Sequence, residues 1–188
     1  NASVIPALIN TVVMTLLSLL IAVPFGIFSA IFLVEYAGKG NKFIEVIRLT
    51  TETLSGIPSI VYGLFGMLFF VNTLKWGFSV LAGAFTLSIM ILPLIKRQTA
   101  VPGILAGVIL AIGRIVGETA ALIYTAGTVA QVPKNVLGSG RTLAIHMYML
   151  SSEGLYMNQA YATAVILLVL VVAINTLSGV VAKKLTKA

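Results

Sequence analysis

Residues 101–126, VPGILAGVILAIGRIVGETAALIYTA, constrain this chain more than any other stretch. The run is long and apolar enough to cross a bilayer as a helix, yet Arg114 and Glu118 stand near its middle. A charge at bilayer depth costs about 2.5 to above 10 kcal/mol unless it is paired or faces water or protein. On a helical wheel at ~100° per residue, Gly103, Gly107, Gly113, Arg114, Gly117 and Glu118 share an arc of roughly 140°, together with Ala106 and Ala121. Ile104, Val108, Ile109, Ile112, Ile115, Val116, Leu122 and Ile123 lie outside it. The oily face is expected to meet lipid. The small face is expected to admit another backbone or a water-filled gap, with the charges pointing there. Arg114 and Glu118 stand four residues apart, a spacing at which they can pair.

The rest of the chain fits a membrane setting. Of 188 residues, 59% are hydrophobic and 9% charged, with mean hydropathy +1.10, whereas soluble domains carry about 25% charged residues. The apolar runs are long and do not alternate, which argues for helices and against a barrel. Five spans are expected, near 4–34, 58–74, 78–95, 101–126 and 160–182, in one all-α, polytopic domain covering 1–188. Pro24 and Gly26 are expected to kink the first, Pro58 suits the first turn of the second, and Trp76 suits a membrane–water boundary. Stretch 36–57 is either a short amphipathic surface helix or a solvated loop. Stretch 127–159 is too polar to cross.

The net charge of +7 comes from basic residues at the ends of apolar runs. They are orientation signals rather than a nucleic-acid footprint. Lys39, Lys42, Arg48, Lys96, Arg97, Lys183, Lys184 and Lys187 collect on one side, and Lys75, Lys134 and Arg141 on the other. The eight are expected in the cytoplasm, which puts residue 1 and 127–159 outside and the C-terminus inside. Cysteine is absent. His146 is the sole histidine and is expected at an interface or in a loop, without a metal. Gly38-Lys39-Gly40 lacks the flanking residues of a phosphate-binding loop, so no ATP binding and no cofactor are expected. The Gly103/Gly107 and Gly113/Gly117 pairs are expected to serve helix packing.

GRIVGETAA (113–121), SGIPSIVYGLFG (55–66), LAGAFTLSIMILP (81–93) and HMYMLSSEG (146–154) together resemble the permease subunits of bacterial phosphate ABC importers. The last motif resembles the A-type subunit more than its C-type sister. The resemblance implies a type I ABC importer in the bacterial plasma membrane. A sister permease would complete the pathway, ATPase subunits would dock beneath, and an extracytoplasmic binding protein would deliver phosphate. Arg114 and Glu118 match the family's charged pair and would line the anion path. The resemblance also implies a transmembrane helix before residue 1 and an ATPase-docking loop between Ile95 and Ala100. Both are missing here, so the chain reads as part of a larger permease and is not expected to drive transport in this form. A permease for another oxyanion and a homo-oligomeric anion channel are the alternatives. An intramembrane hydrolase lacks a second carboxylate at depth.

Overall fold

Ala7, Thr11, Ser18, Ala22, Gly26 and Ala30 recur at four- and seven-residue intervals through the first apolar run. That spacing lines one face of a helix with small side chains, which lets a neighbour approach closely. In the computed structural model, which describes residues 3–35, 42–96 and 101–187, the run is helix α1 (Ile5–Glu35) and this stripe is its buried face. Pro24 lies within α1. Val12, Leu16, Leu20, Phe25 and Phe28 are exposed, which suits a lipid-facing side.

The stripe packs on α4 (Val80–Lys96). The Ser88 hydroxyl donates to the Ser18 carbonyl at 3.0 Å, and a Cβ on Gly26 would lie 2.6 Å from Ile95 Cγ2. Met14, Leu87, Ile91, Ile115, Leu122 and Ile145 form the centre of the core. Four separate stretches of sequence thus meet at one place.

Within 36–57 the amphipathic helix is what forms, as α2 (Lys42–Gly56). Ile44 is buried while Phe43, Val46 and Leu49 are exposed. Residues 36–41, including Gly38-Lys39-Gly40, lie outside the described residues. The chain then bends by 104° into α3 (Ser59–Gly66). Pro58 stands at the bend with φ −60°, and its missing N–H is not needed at a helix start. α3 continues as a π-helical segment, Met67–Thr73. Trp76 stacks on Phe70 with ring centroids 5.4 Å apart and meets Phe85 at 5.3 Å, so it packs inside an aromatic cluster.

Five independent long spans do not appear among the described residues. Only Ile5–Phe32 and Met157–Val181 are long and apolar enough alone, and the bent pair of α2 with Ser59–Thr73 is at most a third. α4 and α5 (Val101–Gly117) have 17 residues each, roughly 25 Å at 1.5 Å per residue, short of the ~30 Å hydrocarbon layer. For 101–126 the reason is that α5 ends at Gly117, inside apolar sequence, where hydropathy alone registers no boundary. The last helix, α8 (Met157–Lys187), has 31 residues. The join at 97–100, where a docking loop is expected, lies outside the described residues.

Stretch 127–159 holds no helix long and apolar enough to cross among the described residues, but the expected place of His146 is not the one observed. The stretch forms α7 (Leu143–Glu153), in which Leu143, Ala144, Ile145, His146 and Leu150 are buried. His146 is fully buried, not at an interface or in a loop. The reason is tertiary: α7 is wedged between α8, α1 and α5. Gly154, with φ 68°, ends it, a left-handed conformation that glycine adopts without strain.

Candidate functional site

The stretch 101–126 is not one helix. α5 stops at Gly117, residues 118–119 are non-helical, and a four-residue helix, α6 (Ala120–Ile123), follows. The break uses local chemistry. The Glu118 N–H donates to the Ile115 carbonyl at 3.2 Å, closing α5 with a tightened turn. The Ala121 N–H then donates to Glu118 Oε1 at 3.1 Å, so the carboxylate satisfies a donor that a helix start leaves open.

This rearranges the two charges. Arg114 and Glu118 form no ion pair within 4.0 Å, because the break takes Glu118 off the α5 spiral on which an i, i+4 pair depends. Each finds a helix end instead. Arg114 lies in the last turn of α5, where the backbone dipole favours a cation. Glu118 is 8% exposed and holds α6, while Arg114 is exposed.

Part of the expected oily face is turned inward. Ile115, Val116 and Leu122, expected toward lipid, are at most 1% exposed and lie in the core. Ala106, Leu110, Arg114 and Gly117 are exposed and line up along α5 as an open strip. A Cβ on Gly117 would meet nothing within 4 Å. On Gly107 it would lie 2.7 Å from the Leu94 carbonyl oxygen, and on Gly113 3.3 Å from Asn175 Oδ1. So Gly107 sits against α4 and Gly113 against α8, whereas Gly117 touches no neighbour. Gly103 is half-buried. The wheel had grouped these glycines on a single surface, but their neighbours differ.

Two parts of this architecture were not singled out from sequence. Tyr62, on α3, is 5% exposed, and its hydroxyl donates to the Leu54 carbonyl at 2.7 Å. The Arg114 guanidinium is within electrostatic reach of that phenol. On α1, the Asn10 side-chain amide donates to the Gln131 and Arg141 carbonyls at 2.9 and 3.1 Å, and Thr11 Oγ1 accepts from the Leu143 N–H at 2.8 Å. Thr11 thereby serves the first turn of α7 from another helix. Burial pushes the Arg141 guanidinium below its ordinary pKa, and Glu153 opposes that shift. The polar positions Asn10, Thr11, Thr15 and Ser18 along one face of an apolar run were the available signal.

Asn10→Ala would leave two carbonyls with one fewer donor each. A loss of about 1–3 kcal/mol is expected. Faster proteolysis between residues 127 and 142 would report it, and an unchanged cleavage rate would contradict it. For Glu118, the Gln variant keeps an acceptor oxygen and the Ala variant does not. Glu118→Ala is expected to lose about 1 kcal/mol and Glu118→Gln less than half of that, read by thermal unfolding in detergent.

The chain is similar to proteins named as permeases. The chain is 32% identical over 194 aligned positions to the probable ABC transporter permease protein YqgI of Bacillus subtilis, covering 79% of this chain and 66% of that protein. It is 35% identical over 153 positions to the phosphate transport system permease protein PstA of Pasteurella multocida, covering 64% and 54%. With PstA 1 of Mycobacterium tuberculosis it is 28% identical over 211 positions, covering 93% and 69%. The chain spans from 54% to 69% of the length of these relatives. An alignment of 211 positions exceeds the 188 residues here, so that relative carries residues within the aligned stretch that this chain lacks. No family model matches the chain, and no solved structure does.

Proposed function

The chain belongs to the permease family of ABC transporters, and from that premise we propose that it is the A-type transmembrane subunit of an ATP-driven importer of inorganic phosphate. The observation that carries the reading is the open strip on α5 with Arg114 exposed beside a helix break. A guanidinium facing hydrocarbon is costly, and non-helical backbone at membrane depth is tolerated only inside protein or along a watery cavity. The strip therefore faces water or another subunit. In this reading a sister permease lies across it and the anion passes between them.

Arg114 supplies what phosphate needs. Its planar fork makes two charge-assisted hydrogen bonds to one oxyanion and does not lose its proton. Glu118 is committed to the Ala121 N–H, so it shapes the turn that presents Arg114. Its negative charge on the same segment limits how tightly a second anion is held, which favours release. Broken helices at mid-membrane are a recurrent way to build transporter sites.

The remaining parts follow from the family. ATP is hydrolysed in separate ATPase subunits on the cytoplasmic side, and their cycle rocks the permease halves. A binding protein delivers phosphate from outside. The membrane is the bacterial plasma membrane, with the C-terminus in the cytoplasm. Exposed Lys183 and Lys184 near the end of α8, and Lys42 and Arg48 on α2, support that orientation. A docking loop belongs between Ile95 and Ala100, and the alignment longer than this chain supports extra residues in the relatives.

The test is uptake of labelled phosphate by vesicles holding the complete assembly with this subunit. ATP-dependent phosphate uptake with no sulfate uptake is the expected result. ATP-independent anion current from the chain alone would favour a channel and overturn the reading.

A further inference from the structure

We propose that Tyr62 is a positioning residue that ties the surface helix α2 to the wall of the anion path beside Arg114. The inference rests on the pathway reading above and deepens it. Three observations carry it. The Tyr62 hydroxyl donates to the Leu54 carbonyl in the last turns of α2, across a 104° bend, at 2.7 Å. The next residue, Gly63, lies so close to α6 that a Cβ there would be 2.8 Å from Ala121 Cα. The Arg114 guanidinium is within electrostatic reach of the Tyr62 phenol.

These contacts form a short mechanical path. Backbone-to-backbone contact at Gly63 leaves no compliant side chain between α3 and the segment just past the break. The break itself is held by Glu118. The hydroxyl bond supplements the backbone at the bend, where the Ile57 N–H also donates to the Leu54 carbonyl at 3.2 Å. A displacement of α2 is therefore passed through this phenol as well as through the backbone at the bend to the surroundings of Arg114. α2 carries exposed Lys42, Glu45, Arg48 and Glu52. In the proposed orientation it lies on the ATPase side, so it is placed to be moved when those subunits close.

The experiment is a double-mutant cycle in the complete assembly, comparing Tyr62→Phe, Arg114→Lys and both together for maximal phosphate uptake and KM. Tyr62→Phe is expected to lower the maximal rate about tenfold with KM changed less than about twofold, and to lower it less than about twofold when Arg114 is already Lys. Assembly yield should be unchanged. Equal fold-losses in both backgrounds, an effect confined to KM, wild-type uptake by Tyr62→Phe, or failure of that variant to assemble would each overturn the role of Tyr62 and leave the pathway reading standing. Wild-type uptake by Arg114→Lys alone would instead overturn the pathway reading, and this inference with it.

Discussion

Phosphate uptake by the complete assembly is expected to fall about 100-fold or more with Arg114→Ala, and about tenfold with Arg114→Lys. The first figure follows from two charge-assisted hydrogen bonds at about 1.5–3 kcal/mol each, at about 1.4 kcal/mol per tenfold in rate. Lysine keeps the charge but not the planar fork, so part of the effect survives. Because Arg114 is exposed at the end of α5 and makes no ion pair with Glu118, its removal leaves no buried charge stranded. Thermal stability in detergent should therefore change little. Loss of uptake together with loss of folded protein would point to a packing role instead. Uptake at the wild-type rate in both variants would remove Arg114 from the path.

Gly63→Ala is expected to be a strongly disruptive single methyl group. The new Cβ would lie 2.8 Å from Ala121 Cα, 3.1 Å from the Ala121 carbonyl oxygen and 3.2 Å from that of Ala120. All three are backbone atoms and none can swing aside as a side chain would. Overpacking of this kind costs about 1–3 kcal/mol, and here it also forces α3 away from the broken segment that presents Arg114. Gly179→Ala is the control, because nothing lies within 4 Å of a Cβ there. The fraction of monodisperse protein after heating in detergent should drop for Gly63→Ala and hold or rise for Gly179→Ala. Equal behaviour of the two would show that the contact at Gly63 relaxes easily.

Much of the architecture was open to reading because hydropathy is a local property. The apolar runs of α1 and α8 and the start of α3 after Pro58 each announce themselves in a few consecutive residues, whereas at α2 the residues left helix and loop both open. The charged positions at 114 and 118 stand out for the same reason, since ionised groups are rare in apolar runs. Their mutual geometry was not legible. A wheel drawn through 101–126 assumes an unbroken spiral, and the spiral ends at Gly117. Beyond that point the wheel's angles no longer apply, and the pairing of Arg114 with Glu118 fails with them, although Ala121 still meets another backbone at Gly63. The burial of Ile115, Val116 and Leu122 was equally hidden, because an isoleucine suits lipid and a protein core alike. His146 was misjudged on similar grounds: a polar stretch gives no hint that its helix is held between three others.

Sequence by itself determined that this is an all-helical membrane protein, which residues carry charge into its apolar runs, and the kinship that those motifs imply. All three depend on residue type and short spacing. Tertiary structure alone decided which face of α5 is open, where the helix breaks, and that Asn10, Thr11 and Tyr62 reach across to distant segments. Those outcomes depend on competition among neighbours for the same surface. Small side chains at Gly63 and Gly107 let backbones meet, and the larger residues beside them are then turned inward or outward by what space remains.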